Sequence, residues 1–345
     1  MEQWPLKELA SIYSLHIQNM EQQKQSVLKL ETNRGTFALK HSHLEPEELY
    51  LQFDICRHLE TKGFGRIASI VPTRNGDPFA QVNSERFMLT AWLEAEQSNL
   101  LNPADLELAV LNLAQFHKAG TGYFGKVFWP KRRLYGVWPQ RFSFRLGHIQ
   151  RYRRQILARG IRDEFDRLFV NFAGRAQNQA GSAINRLRAG PYYHLANKAR
   201  EMGTVCHHDY AYHNILIDRD RRVWLVDFDY CILDMPLHDL GSMILRTVKL
   251  SNWSLAEALR ILLIYHEEKP LEPGELEVLL SFMEYPQDFW QLAWARYNEV
   301  GMHKYESLLF RLKKFVDTVG ARDKFLARFA KLCESKIFLP GRDIL

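Results

Sequence analysis

Two acids and one amide, Asp209, Asn214 and Asp227, fall inside the stretch from Cys206 to Asp229. A carboxylate can take a proton from a hydroxyl group, and a set of oxygen ligands can hold Mg²⁺ against phosphates. Asp209 suits the first task, and Asn214 with Asp227 suits the second. The same stretch carries His207, His208 and His213, so a metal-dependent phosphohydrolase centre of His207, His208, Asp209 and His213 is a rival reading. Such centres usually draw a further ligand from a distant helix, and no second His-Asp helix pattern accompanies this one.

The elements that must position these side chains can be read from pattern. Ile215–Ile217 and Val223–Val226 are short β-branched runs around a polar turn, Asp218-Arg219-Asp220-Arg221, which makes a hairpin. Upstream, a short helix is expected over Leu6–Tyr13. Strands follow at Ser26–Leu30 and Thr36–Lys40, joined by a turn whose Gly35 takes the positive φ. Lys40 ends an apolar strand, where a lysine ordinarily snorkels to water. Leu44–Lys62 reads as a helix with Leu49, Phe53, Cys56 and Leu59 on one face, and Gly63 and Gly65 stop it. Further strands are expected at Ser69–Pro72 and Arg86–Thr90, and the chain leaves the last of them through Thr90-Ala91-Trp92-Leu93.

Beyond that linker the pattern is mostly helical: Asp105–Ala119, Ser143–Ala158, Arg162–Gln177, Asn185–Glu201 broken by Gly190-Pro191, Leu240–Lys249, Leu255–Glu268, and two or three more to Cys333. Ser254 with Glu257 has the form of a capping box. His117, near a helix C-terminus, reads as a structural histidine. The fold class is α+β, with a small N-terminal antiparallel sheet lobe (1–92) and a large, mostly helical C-terminal lobe (93–345).

Composition narrows the function classes. The 345 residues, 46% apolar, can bury a sizeable core. No run of eighteen apolar residues exists, so no membrane association is expected. Met1-Glu2-Gln3-Trp4-Pro5 lacks the basic and apolar regions of a signal peptide. The cysteines (Cys56, Cys206, Cys231, Cys333) form no CxxC pair, which argues for a reducing compartment and cytoplasmic synthesis.

The net charge of +6 is local: residues 126–160 hold ten Lys and Arg and no acid. Without those ten, 36 basic residues face 40 acids, a balance of −4. Phe128, Trp129, Tyr135, Trp138, Phe142 and Phe144 interleave with the basic residues. The segment is either a solvated helix with Phe144, Ile149 and Ile156 turned inward, or a surface for an anionic partner. No nucleic-acid motif accompanies it, so nucleic acid is not among the expected partners.

The spacing His207-x-Asp209-x4-Asn214, then Asp227-Phe228-Asp229, then Pro236-x2-Asp239-Leu240, resembles the aminoglycoside phosphotransferase and choline kinase group, which has a protein-kinase-like fold. The resemblance extends to Phe37-Ala38-Leu39-Lys40, Leu89-Thr90-Ala91-Trp92-Leu93 and Leu113-Ala114-Gln115-Phe116-His117. Phe116-His117-Lys118-Ala119 and Tyr285-Pro286-x2-Phe289-Trp290 look closest to its bacterial spore-coat branch, the CotS and CotI type.

The resemblance implies ATP and Mg²⁺ as cofactors and a small-molecule hydroxyl as acceptor. Asp209 would be the catalytic base and His207 the scaffold of its loop. Asn214 and Asp227 would be metal ligands, and Lys40 would pair with the α- and β-phosphates. Ala91 and Leu93 would offer backbone groups to adenine, and Asp239 would tie the catalytic loop to the following helix. It also implies deposition in a spore coat, with other coat proteins as partners of the 126–160 segment. Tyr285, Trp290, Trp294 and Tyr297 are either acceptor-cleft wall or core.

The chain departs from the group's pattern at several positions. No glycine lies between Ser14 and Val27, where a phosphate-covering loop would be glycine-rich. Gln52 stands where a lysine-holding glutamate is usual, with Glu48 one turn earlier as the alternative. His208 and Asp229 stand where glycines are common. A kinase-fold coat component without turnover is therefore the alternative reading.

Overall fold

The computed structural model describes residues 4–125, 129–299 and 301–334. Lys126 and Phe128 of the basic segment lie outside the described residues. The chain forms two compact units, Met1–Arg133 with Met202–Leu233, and Leu134–Glu201 with Asp234–Leu345. The hairpin after the Asp209 loop thus belongs to the same unit as the N-terminal sheet.

The first unit opens with α1 (Leu6–Tyr13), which buries Leu9 and Tyr13 one turn apart. Strands β1 (Ile17–Lys24), β2 (Val27–Thr32) and β3 (Gly35–Ser42) precede α2 (Pro46–Thr61), and β4 (Ile70–Val71), β5 (Ala80–Val82) and β6 (Glu85–Ala91) follow it. They pair antiparallel in the order β1-β2-β3-β6-β4, with β5 also on β6. The β2–β3 turn places Gly35 at φ 117°, as its sequence requires. Leu28, Leu30, Leu39, Phe87 and Leu89 alternate inward and meet Leu9 and Tyr13. Each such burial contributes about 1.5–3 kcal/mol. The Tyr13 hydroxyl donates to the Phe87 carbonyl at 2.8 Å, so this ring buries its polar tip without loss.

A second sheet in the same unit runs β7 (Ala95–Gln97), β8 (Ile215–Asp218) and β9 (Val223–Leu225), and α3 (Pro103–Ala119) is capped by Asn102. The polar turn closes on Asp218, which accepts from Arg222 N and from Trp224 Nε1, both at 2.9 Å. The buried stripe of α2 is Leu49, Gln52, Ile55, Cys56 and Leu59. The sequence reading put Phe53 on that face. Phe53 is only half-buried, and Gln52 takes the inward position.

The second unit holds α4 (Trp138–Arg159), α5 (Glu164–Ala189), most of α6 (Tyr192–Met202), α7 (Leu237–Leu250), α8 (Leu255–Glu268), α9 (Glu275–Glu284), α10 (Gln287–Tyr297) and α11 (Tyr305–Glu334). Part of its core joins Ile149, Tyr152 and Ile156 of α4 to Phe165, Phe169, Ala173 and Ala176 of α5 and Phe289 of α10. Phe169 and Phe289 stack at 4.9 Å with an interplanar angle of 2°.

Two sequence expectations change here, and one open alternative is resolved. Helix α5 runs on through Asn178–Ile184, because Ala176, Ala180, Ala183, Ile184 and Leu187 continue one buried face at helical spacing. Phe144 points outward, 68% exposed, while Tyr152 takes the inward place beside Ile149 and Ile156. Tyr285 is buried, and Trp290 and Tyr297 pack on the α4–α5–α10 core, so the core alternative holds for these three.

Candidate active site

Each expected side chain of the first unit sits where a specific local constraint holds it. His207 is fully buried, and its Nε2 lies 3.0 Å from the Val226 carbonyl. A carbonyl only accepts, so Nε2 carries the proton there. The ring packs among Phe116, Tyr210 and Phe228. Tyr210 pins the next turn of the loop to α3, its hydroxyl 2.7 Å from the Ala109 carbonyl. His208 takes a left-handed conformation at φ 69°. A side chain there costs about 1–3 kcal/mol, so the surrounding structure must impose it. A glycine would take the same conformation without that cost.

Asn214 ties the loop to itself. Its Nδ2 donates to the Asp209 carbonyl and to Asp209 Oδ2, both at 3.0 Å. His213 Nε2 stands 3.5 Å from the same carboxylate. With the amide nitrogen committed to Asp209, Asn214 Oδ1 accepts no hydrogen bond among the described residues. Val226 N donates to the Asn214 carbonyl at 3.0 Å, which fixes the loop against the residue before Asp227.

After β9 the backbone turns left-handed at Asp227, φ 63° and ψ 70°, and brings Asp227 and Asp229 to one cation. Lys40 Nζ lies 2.8 Å from Asp227 Oδ1 and 2.7 Å from Asp229 Oδ2. Burial works against the Lys40 ammonium, but Asp229 and Asp227 more than offset it, and its pKa stands above the ordinary lysine value. Burial pushes the Asp227 carboxyl up and Lys40 pulls it down further, so the net shift is downward. Asp229 shifts upward, because burial and the Asp227 charge outweigh the attraction of Lys40. Asp229 Oδ1 is buried and accepts no hydrogen bond among the described residues.

The α2 candidates have other partners. Arg132 Nε donates to Glu48 Oε1 at 2.9 Å, with a second guanidinium nitrogen at 2.6 Å. Glu48 Oε2 accepts from Glu45 N in a capping box that opens α2. Gln52 is 3% exposed, and its Oε1 is unpaired among the described residues. Lys40 therefore hydrogen-bonds neither of them, because two carboxylates outcompete a neutral amide and Glu48 is already neutralised by Arg132. Asp229 and Arg132 are the residues whose roles sequence reasoning did not assign. The signal for Asp229 was an acid in place of a glycine, while Arg132 is 84 positions from its partner and left no signal.

Ala91 ends β6 with its N–H bonded to the Ser69 carbonyl at 3.0 Å. Leu93, between β6 and β7, makes no backbone hydrogen bond among the described residues, so its N–H and carbonyl are available. Asp239 is fully buried in the first turn of α7, in the second unit, with its Oδ1 3.6 Å from His238 Nδ1. Among the described residues, His207, His208, Asp209 and His213 do not bring three ligand atoms within 4.8 Å of one another, which removes the geometric basis of the phosphohydrolase reading.

The residues fit a divalent cation. The Asn214 amide oxygen is uncommitted, and an orphaned buried carboxylate oxygen stands on Asp229, two residues after Asp227. Hard oxygen donors of this kind suit Mg²⁺.

The structure is similar to an aminoglycoside phosphotransferase from Alicyclobacillus acidocaldarius, at a TM-score of 0.84 and 21% identity, covering 97% of this chain and 98% of that one. It is also similar to a spectinomycin phosphotransferase, at a TM-score of 0.57 and 15% identity over 93% and 97% of the two chains. The fold is kinase-like, with a small antiparallel sheet in the N-terminal part and a mostly helical C-terminal region. Among curated proteins, Spore coat protein S of Bacillus subtilis is 22% identical over 337 residues, 96% of this chain and 95% of the relative. The family model described as "Spore coat putative kinase YutH" matches residues 6–329, and the chain belongs to that spore coat family.

Proposed function

We propose that this protein transfers a phosphoryl group from ATP to the hydroxyl of a small molecule. The observation that carries the reading is the chain of contacts from Lys40 through Asp227 and Asp229, and from Asn214 to Asp209. Asn214 Oδ1, Asp227 and the free oxygen of Asp229 would hold Mg²⁺. The ion, when bound, supplies charge neutralisation at the phosphates. Lys40 is the cation on β3 aimed at the same point, and it would turn from the carboxylates to phosphate oxygens.

Asp209, held through one oxygen by the Asn214 amide, is oriented to accept the acceptor hydroxyl's proton. The uncommitted backbone of Leu93 is a donor and acceptor for a planar heterocycle, and the Ala91 carbonyl is its companion. Family membership supports residence in a spore coat. The arginines of α4, Arg151, Arg153 and Arg154, are the surface we assign to coat partners.

The test is incubation with Mg·ATP and a panel of polar hydroxyl metabolites, repeated with Asp209→Asn. Turnover lost in the variant supports the proposal. One observation favours a second reading, a coat component that keeps the fold without turnover: Glu48 is engaged by Arg132 and the α2 position nearest the family pattern is a neutral glutamine. Thermal stabilisation by Mg·ATP with no turnover on any acceptor would support that second reading.

A further inference from the structure

The sheet of the first unit gathers a second set of metal-ligating side chains. His41 pairs with Phe87 and Ser42 with Arg86 in the antiparallel β3–β6 ladder. Continuing that register sets His43 beside Glu85. Residues two apart on a strand share a face, so His41, His43, Phe87 and Glu85 all stand on one side of the sheet. Lys40, next to His41, points to the other side.

The placement of Glu85 is set by a tight turn. Val82 pairs with Glu85 across Asn83 and Ser84, which take φ 49° and 69°. Both values are positive, the requirement of the two-residue hairpin turns that match strand twist. His41 is clamped in orientation, its ring stacked on Phe87 at 5.1 Å and edge-on to Trp4 at 6.3 Å. The His43 ring stands 4.7 Å from the His41 ring. His41 Nε2 is 2.5 Å from Glu85 Oε2. One ligand atom from each of His41, His43 and Glu85 falls within 4.8 Å of the others. Beside them lies a cavity of ~270 Å³, lined in part by Trp4, His41, Asn83 and Glu85.

We propose that His41, His43 and Glu85 form a binding site for a divalent first-row transition ion, separate from the Asp227 centre. Two imidazoles and a carboxylate select Zn²⁺, Co²⁺ or Ni²⁺ over Mg²⁺ and Ca²⁺, which take oxygen ligands. Metal–ligand bonds of about 2.0–2.1 Å in a tetrahedron need ligand atoms roughly 3.3 Å apart. Glu85 must therefore swing out a little from His41, and His43 must close in. Both side chains are exposed, Glu85 to 56%, so both can move while His41 stays fixed. The cavity leaves a fourth position for water. The ion would cross-link the end of β3 to the start of β6, on the strand that carries Lys40 two-faced between the two centres.

The test uses the full chain without a polyhistidine tag, stripped with chelator, and titrated with Co²⁺ in excess Mg²⁺ and without nucleotide. The proposal expects one Co²⁺ per chain with the visible absorption of a low-coordinate nitrogen–oxygen site. It also expects affinity at least about tenfold weaker in His43→Ala and in Glu85→Gln. Both variants alter exposed side chains, and far-ultraviolet circular dichroism checks that they fold. Wild-type protein should gain thermal midpoint with rising Co²⁺ or Zn²⁺, and His43→Ala should not. The proposal is overturned by non-saturable binding, by displacement with Mg²⁺, or by equal affinity in the variants. Because no phosphoryl transfer is measured, its failure leaves the kinase reading untouched, and the converse also holds.

Discussion

Replacing Lys40 with methionine tests whether the three-residue charge cluster is a coupled unit. The ammonium sits at 2.7 Å from Asp229 and 2.8 Å from Asp227, and the side chains are 22%, 17% and 37% exposed in the order Lys40, Asp229, Asp227. Removing one partner of a fully buried pair costs about 3–5 kcal/mol, and partial exposure brings that down to about 2 kcal/mol here. Asp229→Asn removes the like charge that Lys40 separates, so Lys40→Met should cost roughly 1 kcal/mol less in that background. Urea unfolding of the wild type, both single variants and the double variant at pH 7 closes the cycle.

The effect should also depend on pH. Asp227 is shifted downward in the fold, so its contribution is present above the unfolded carboxylate range and is lost as pH falls through its folded value. Asp229 is shifted upward, so its contribution is present at low pH and lost as pH rises through its folded value. Without Lys40 both carboxyls move up, and the gap between wild type and Lys40→Met should be widest near neutrality and shrink in acid. Additivity within about 0.3–0.5 kcal/mol, or a gap that is flat with pH, would refute the coupling.

Two further outcomes follow from buried groups elsewhere. Asp234 is fully buried, and burial pushes its carboxyl up to about 7, against the pull of His238 and the Trp138 Nε1 hydrogen bond. A raised folded value means its contribution is intact below the unfolded range and falls as pH climbs from about 4 to 7, by up to ~4 kcal/mol. Asp234→Asn should flatten the stability–pH curve over that window in urea melts, at the cost of a bond that Asp234 accepts, such as that from Trp138 Nε1. Arg132→Ala would leave Glu48, 18% exposed, without its cation. A loss of about 2 kcal/mol in unfolding free energy is expected, partly recovered by adding Glu48→Gln.

How much of this was legible in the chain depended on where each contact partner sits. Helix α1 and the hairpin around Asp218 follow from local spacing and turn chemistry, and both stand where the residues suggested. The pairing of Asn214 with Asp209 was legible because the two stand five positions apart in one loop. Strand β1 was not, since Ile17-Gln18-Asn19-Met20-Glu21-Gln22-Gln23-Lys24 is exposed at nearly every position and shows no apolar alternation. Strands β5 and β7 are three residues each and exist only through partners in β6 and β8, the latter more than a hundred positions away. Helix α5 hides its continuity behind Gly181-Ser182, residues of low propensity that tertiary packing of the alanine face overrides.

The lysine's partner shows why residue type alone could not decide this site. Matching a family pattern directs attention to α2, where Gln52 replaces an acid. Charge neutralisation of Lys40, however, requires an anion within reach and says nothing about which element supplies it. Asp229 supplies it from just after β9, two residues beyond Asp227. Once that acid is present, a second one at position 52 would put another negative charge into a buried stripe with no cation left to meet it. A neutral Gln52 is therefore compatible with Asp229 as the lysine's second anion. Glu48 is freed to cap α2 and to hold Arg132. The cluster of Lys40, Asp227 and Asp229 carries one net negative charge, and Asp209, joined to it through Asn214 and Val226, adds a second. A divalent cation would cancel that balance, so the substituted residues are compatible with the magnesium site we propose.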